Sequence, residues 1–343
     1  MTYYVPNMIF EEALKFYKKL KKIDPKDEFV FDFSRMGKFD PLPMLMMGAT
    51  MRNYRNEHPI TSFKVDGIDM EKKGYAGTMG FFKYVSPCLE FGKKPGEANG
   101  SNNYIPITPI SVNKLQKEEL DNGNCIPIGD IIEKESNRLS RVIDRGNREL
   151  HKLLTFLIRE ILRNTPEHAK TDTMWICGQF WKSYELAEIA IIDEGVGIYQ
   201  SIKGNSAHRQ YVKDNASALQ WAIKAGISES FKPSRKQMSN DEWANSGFGL
   251  YVVSQICKYL DGSFCLISYG NYLVLDKEGI TVGDTYFKGT AIRIKIPTKN
   301  IGDAQSIISK IVTQGEMEAK NIRNAFKYAS TPSRGLIEKL NII

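Results

Sequence analysis

Three short runs, in chain order, hold residue types whose spacing could do chemistry on a phosphorylated ligand. Glu160-Ile161-Leu162-Arg163-Asn164 sets a carboxylate and a carboxamide four residues apart in a strongly helical pattern, so both leave one helix on the same side. Asp193-Glu194-Gly195-Val196-Gly197 follows the apolar strand Leu186 to Ile192, and its glycines permit the tight backbone that a nucleotide needs beside it. Asn245-Ser246-Gly247-Phe248-Gly249-Leu250 sets small residues before the apolar run Leu250 to Ile256, which reads as a helix N-terminus able to hold phosphate oxygens. Together the three read as one ATP site.

Their order and spacing resemble the GHKL superfamily, the ATPase fold shared by gyrase, MutL, histidine kinases and anti-sigma serine kinases. A single DxGxG or GxG is weak, because glycine pairs mark any turn; the resemblance rests on four agreeing elements. The fourth is Gly289-Thr290 opening the strand Ala291 to Ile296, where the family has a glycine and a threonine near the adenine. The resemblance implies an α/β (α+β) Bergerat fold, a two-layer α/β sandwich with a mixed, mostly antiparallel sheet, and ATP and Mg²⁺ as cofactors. It implies that Asn164 coordinates Mg²⁺ through its carboxamide oxygen, since a hard cation prefers oxygen and takes its other ligands from phosphates and water. Glu160 is then the general base, deprotonating either water or a protein hydroxyl, a task that suits a carboxylate only if burial or neighbours raise its pKa toward the working pH, and Asp193 accepts a hydrogen bond from the exocyclic amine of adenine. Gly195 and Gly197 let the backbone pass close to the base, Thr290 sits beside it, and Gly247, Phe248, Gly249 and Leu250 bring backbone amides to the phosphates. Read locally instead, Glu160 is a surface salt-bridge partner of Arg163 or Arg159, and Asp193 is a strand-end turn residue.

Between the second and third runs lies a long insert, Ile198 to Ala244, which resembles the family's ATP lid and holds Lys203, His208, Arg209, Lys213, Lys224, Lys232, Arg235 and Lys236. Ala216, Leu219, Ala222 and Ile223 share one helical face, so part of it is expected to be helical. Ser228 to Asn240 is polar and reads as mobile, and Arg235 or Lys236 is placed to reach a γ-phosphate.

A different unit precedes these motifs. Glu28 to Phe33 makes a buried strand, Leu42 to Met51 an apolar helix, and Gly80-Phe81-Phe82 closes a further amphipathic segment. This order resembles a STAS-type domain, the fold of anti-sigma antagonists, and implies a protein partner docking through it. Those antagonists place a phosphorylatable serine directly after the turn aspartate, where this chain has Pro41 and Leu42, so the phospho-switch is not carried over. The alternative is an α/β extension packed on the ATPase unit. Met44, Met46 and Met47 read as core filling.

The elements that must position these residues follow. A STAS-like unit spans 1–92, a polar linker and edge segment 93–112, the ATP-binding unit 113–299 and a helical tail 300–343. Helices are expected at Ile128 to Ile143 and Asn147 to Lys170, the latter holding Glu160 and Asn164. Strands are expected at Thr173 to Trp181, Leu186 to Ile192, Ser263 to Ser268, Tyr272 to Leu275 and Tyr286 to Ile296, in a sheet covered on one face by helices. Tyr104 to Val112, with Pro106 and Pro109, is an edge strand. In the tail, Asp303 to Tyr328 has helical character, with Ile307, Ile308, Ile311 and Val312 on one face, before a polar hinge, Ser330 to Arg334.

The 343 residues are 42% hydrophobic and 25% charged, as expected of a soluble protein of about two domains. No apolar run reaches membrane-spanning length, and Met1-Thr2-Tyr3-Tyr4 lacks a secretory pattern, so the expected place is cytoplasmic. Five scattered cysteines read as reduced core residues, and the absence of a CxxC or Cys/His cluster gives no zinc site. The net charge of +7 is spread along the chain and argues little for nucleic acid. A homodimer stays open. Before the first motif stand only His58, in a turn, and His151, on the motif helix, so histidine autophosphorylation is not expected, and the tail is too short for a gyrase-type transducer. The resemblance therefore implies a Mg-ATP-binding regulatory protein that hydrolyses ATP slowly or phosphorylates a partner on serine or threonine, as anti-sigma kinases do. The other reading is a nucleotide-gated interaction switch with little catalysis.

Overall fold

The computed structural model describes residues 1–25, 27–168, 173–231 and 246–335. The chain begins β1 (Thr2–Tyr4), α1 (Phe10–Leu20), β2 (Glu28–Asp32), α2 (Pro41–Glu57), β3 (Ser62–Asp66), α3 (Met70–Thr78) and α4 (Phe81–Val85). β1, β2 and β3 form a parallel sheet in that order. Alternation decides its faces: Phe29, Phe31, Phe63 and Val65 point inward, while Glu28, Asp32, Ser62, Lys64 and Asp66 point outward. Phe29 and Phe63 pack tilted and edge-on against Tyr54 of α2, with ring centroids 5.5 and 6.0 Å away.

α2 starts at a proline, which needs no N–H partner in the first turn and has its φ already set. Leu42 through Met51 is then buried on every side, the signature of a helix enclosed between two layers. The second layer is a seven-stranded sheet. The chain continues β4 (Tyr104–Ile110), α5 (Val112–Asp121), α6 (Ile128–Ile143), α7 (Arg148–His168), β5 (Met174–Trp181), β6 (Leu186–Asp193), α8 (Gly197–Gly204), α9 (Asn215–Ala222), α10 (Gly249–Tyr259), β7 (Ser263–Ser268), β8 (Asn271–Asp276), β9 (Gly279–Asp284), β10 (Thr290–Pro297) and α11 (Ala304–Lys320). Strand order is β4-β5-β6-β10-β7-β8-β9, and every neighbouring pair is antiparallel. The protein is thus α+β, with a large antiparallel and a small parallel sheet.

Two expectations change here. The large sheet is antiparallel throughout rather than mixed, and helices cover both of its faces rather than one. The reason lies in strand composition. In β6 the run Ile189-Ala190-Ile191-Ile192 does not alternate with polar residues, so neither face of the strand can meet water. Ile189 and Ile191, with Leu266 and Ile294, pack against α7 and α10. Ala190 and Ile192, with Cys265 and Ile267, pack against the N-terminal unit. The order of layers is parallel sheet, α1 and α2, antiparallel sheet, then α6, α7, α10 and α11. Segment 93–112 is tied to both units: the Ile107 N–H donates to the Met79 carbonyl at 2.9 Å, and the Gly96 N–H to the Ile107 carbonyl at 2.9 Å. β4 is an edge strand, as its prolines require, with a register shift between Ile105 and Thr108.

Ile307, Ile308, Ile311 and Val312 are buried on α11, but the helix ends at Lys320, and residues 321–335 fold back across α7. Among the described residues no helix is long and apolar enough to cross a membrane. Of the cysteines, Cys177, Cys257 and Cys265 are buried, whereas Cys88 and Cys125 are exposed.

Candidate functional site

β6 and β10 lie side by side, with Asp193 opposite Thr290 and Ile191 opposite Ile292. α7 and α10 cross the same face, and α8 leaves β6 directly after the glycine turn. Between them opens a cleft of about 810 Å³, counting the part continuous with solvent. Ile161, Ile191, Ile198, Ile202, Leu250 and Ile292 give it an apolar slot. Of the residues expected from sequence, Asn164, Asp193, Gly197, Gly247, Gly249, Leu250 and Thr290 line it. Gly195, Phe248 and Glu160 do not: Gly195 forms the turn behind Asp193, Phe248 is fully buried beside Tyr251, and Glu160 lies beneath the wall.

One end of the slot is set by Asp193, which is 8% exposed. Burial pushes its carboxyl up to about 6, although the Gly195 N–H at 2.9 Å and the hydroxyl and N–H of Thr290 donate to it. It is an anchored acceptor at the edge of an apolar slot, the arrangement that a planar ring with an amine at its edge would match. The turn beyond it is clamped by β7: the Ser268 hydroxyl accepts from the Ile198 N–H at 2.9 Å, and the Tyr269 hydroxyl donates to the Gly195 carbonyl at 2.9 Å. Gly197, at φ +77°, is required there, because a Cβ would stand 2.6 Å from the Ser268 hydroxyl. Glu194, next along, faces the other way and is held by Arg52 and by Asn53 of α2, the latter at 2.6 Å.

The opposite end is the start of α10. The N-cap residue of this helix is Phe248, whose side chain makes no cap, so its first amides are not satisfied by an N-cap side chain. Gly247, at φ +71°, lets the approach to the helix pass against residues 226–227, where a Cβ would collide with the Ile227 backbone. Gly249 matters for a different reason. A Cβ there would be 3.2 Å from Glu160 Oε2 and 3.6 Å from Asn164 Nδ2, so its bareness brings α10 down onto the pair on α7. Asn164 Nδ2 donates to the Glu160 carbonyl at 2.9 Å, which fixes the carboxamide plane. A single carboxamide oxygen beside helix-terminal amides suits a cation that arrives with phosphates, as Mg²⁺ does, rather than a site made of protein ligands alone.

Glu160 is 2% exposed and belongs to a buried charge cluster. Arg163 Nη1 lies 3.1 Å from its Oε1, Arg159 Nε lies 3.4 Å from the same oxygen, and the Ser333 hydroxyl donates to Oε2 at 2.7 Å. Burial raises its proton affinity, but the guanidiniums of Arg163 and Arg159 and the Ser333 hydroxyl outweigh it and hold the carboxyl below its ordinary value. The two arginines of the local salt-bridge reading are therefore its partners, yet in the interior. Arg159, 0% exposed, also reaches Glu133 at 3.1 Å and donates to the carbonyls of Pro332 and Gly335 at 2.5 and 2.9 Å.

Much of the expected lid is core. α9 buries Ala218, Leu219 and Ala222 beside β7 and β8. Ser228 to Phe231, expected to be mobile, is pinned. Asn205 Nδ2 donates to the carbonyls of Glu229 and Phe231 at 2.7 and 2.8 Å, and His208 Nε2 meets the Ser228 carbonyl at 3.0 Å. Asn245, Lys232, Arg235 and Lys236 lie outside the described residues. Ser201, Ser228 and Glu229 line the cleft without having been singled out. Ser201 was within reach of sequence reasoning, since a helix opening at Gly197 sets Ile198, Ser201 and Ile202 on one face. Ser140, His151 and Asp144 do not form a nucleophile relay, because the hydroxyl and the carboxylate both meet the same ring nitrogen, Nδ1, at 3.1 and 3.0 Å. Comparison of the chain with family models, with curated proteins and with solved structures gave no match.

Proposed function

We propose that the cleft binds ATP with Mg²⁺ and that the protein is a GHKL-type regulatory ATPase or serine/threonine kinase. The observation that carries this reading is the polarity of the slot: a buried acceptor, Asp193, at one end, and the uncapped N-terminus of α10 beside Asn164 at the other. Adenine would lie between Ile191, Ile292 and Ile161 with its amine on Asp193. The phosphates would meet the amides after Gly247, and Asn164 would hold the cation through its carboxamide oxygen. Glu160, just beneath Gly249, would take the proton of the attacking hydroxyl or water.

Arg163 and Arg159 hold the buried Glu160 carboxyl below its ordinary value, where a general base needs it raised, and this favours a second reading, a nucleotide-gated interaction switch with little turnover. In either case α2 is enclosed, so a protein partner would have to meet the polar outer face of the three-stranded sheet. Thermal unfolding with Mg²⁺ and ATP, GTP or neither tests the site: stabilisation by ATP that exceeds that by GTP and is lost in Asp193→Asn is expected. Equal shifts with both nucleotides would remove the adenine reading. Phosphate release that falls in Glu160→Gln while ATP binding persists separates the enzyme from the switch.

A further inference from the structure

The C-terminal segment brings a hydroxyl to Glu160, the carboxylate proposed above as the base. Ser333 is 2% exposed, although Ser330 to Arg334 is the polar stretch that sequence alone would leave in solvent. Its hydroxyl donates to Glu160 Oε2 at 2.7 Å and accepts from Arg163 Nη1 at 3.2 Å. That same carboxylate oxygen is 3.2 Å from where a Cβ on Gly249 would stand, at the first turn of α10 and at the wall of the cleft. The segment is held in place from three sides. The Ser330 N–H donates to the Ser246 hydroxyl at 2.8 Å, immediately before Gly247. Arg159 holds the carbonyls of Pro332 and Gly335, and the Phe326 N–H donates to the Gly226 carbonyl at 2.9 Å. A hydroxyl hydrogen-bonded to a carboxylate, with guanidiniums around it and helix-terminal amides alongside, has the parts of a phosphoryl acceptor site.

From these contacts we infer that Ser333 is a phosphoacceptor in cis, modified by the nucleoside triphosphate that occupies the cleft. The inference rests on the ATP reading above and adds the identity of the accepting group. In the step, the Ser333 Oγ–H proton passes to Glu160, an Oγ–P bond forms to the γ-phosphorus, the bond from that phosphorus to the β–γ bridging oxygen breaks, and ADP leaves. The proton on Glu160 is afterwards lost to solvent. The product phosphoserine stands against Arg163, a match for its charge, but can no longer donate to Glu160 and is repelled by it, so the 330–335 segment loses one of its anchors.

The test uses the full chain with Mg²⁺ and γ-labelled ATP, read by intact mass and by fragment mapping, with ATP-dependent thermal stabilisation measured on the same sample. The expected result is one phosphoryl group per chain on Ser333, with a rate constant independent of protein concentration. It should be absent in Ser333→Ala and present in Ser333→Thr, and ATP should still raise the thermal transition of both variants above that of their own nucleotide-free samples. Stabilisation by ATP without label on Ser333, or label mapping to Ser330 or elsewhere, overturns the inference and leaves the ATP site standing. An absence of ATP stabilisation overturns both.

Discussion

Replacing Asp193 by asparagine should make the unliganded protein more stable while weakening its hold on ATP. The carboxyl is 8% exposed and raised from 3.8 to about 6, burial being the main cause, with the Gly195 and Thr290 donors opposing it. A carboxyl with a higher value folded than unfolded binds its proton more tightly in the native state. Its contribution therefore favours the fold in acid and is lost as pH rises from about 4 to about 6. At about 1.4 kcal/mol per unit, ionised Asp193 costs the fold about 3 kcal/mol above that window. Asparagine keeps the shape and an oxygen for the Gly195 N–H but has no charge to desolvate. Urea denaturation of both proteins at several pH values gives the difference, and groups common to both cancel. Asp193→Asn should be more stable by about 2–3 kcal/mol at neutral pH and nearly equal to the parent near pH 4. Its affinity for ATP should fall about ten- to a hundredfold through loss of a charged acceptor. Parallel pH profiles for the two proteins would refute the burial argument; unchanged ATP affinity would refute the placement of adenine.

Arg159→Met should cost about 3–5 kcal/mol in chemical denaturation, because it leaves Glu133 and Glu160 buried without their shared cation; a loss under about 1 kcal/mol would contradict that role. Gly247→Ala should unfold the approach to α10 and abolish ATP stabilisation, whereas Gly123→Ala, also at positive φ but with nothing within 4 Å, should cost only about 1–2 kcal/mol in a thermal melt. Glu194→Ala should lower stability by about 1–3 kcal/mol, since Arg52 and Asn53 lose their acceptor at the junction with the N-terminal unit, and a neutral result in thermal unfolding would show that the junction holds without them.

α6 and β7 begin and end where their periodicity places them, at Ile128–Ile143 and Ser263–Ser268, and the motif residues do converge: Asn164, Asp193, Gly247, Gly249 and Thr290 reach one cleft. Strong local patterns are legible because the elements they specify are amphipathic or bounded by glycine. β1, α1, β3 and α5 were not singled out; β1 is only three residues long, and α5 buries little more than Val112. The second covered face of the large sheet had a visible signal, the unbroken apolar run in β6, but a motif-led expectation of two layers passed over it. Ser333 had none. Its polar neighbourhood reads as a hinge, and only the fold-back across α7 reveals that its hydroxyl meets a buried carboxylate.

The strand-end alternation at Asp193 and Glu194 has a structural consequence for how the ends of the chain meet the cleft. Successive residues of a strand face opposite sides, so a single turn offers one carboxylate to the slot and the next to α2. The N-terminal unit is thereby fastened one residue from the group assigned to adenine, through Arg52 and Asn53. At the other pole the C-terminal segment is fastened to Ser246, one residue before Gly247, and to Glu160 under Gly249. A ligand spanning the slot would therefore lie between a turn fastened by residues 52–53 and a helix start fastened by residues 330–333. The two attachments use different chemistry. Arg52 and Asn53 grip a carboxylate pointing away from the slot, which a ligand need not disturb. Ser333 instead donates to Glu160 Oε2, on the side of α7 that faces Gly249 and the cleft wall. The N-terminal unit thus supports the turn from the side away from the slot, and the C-terminal segment holds the carboxylate that lies under the start of α10.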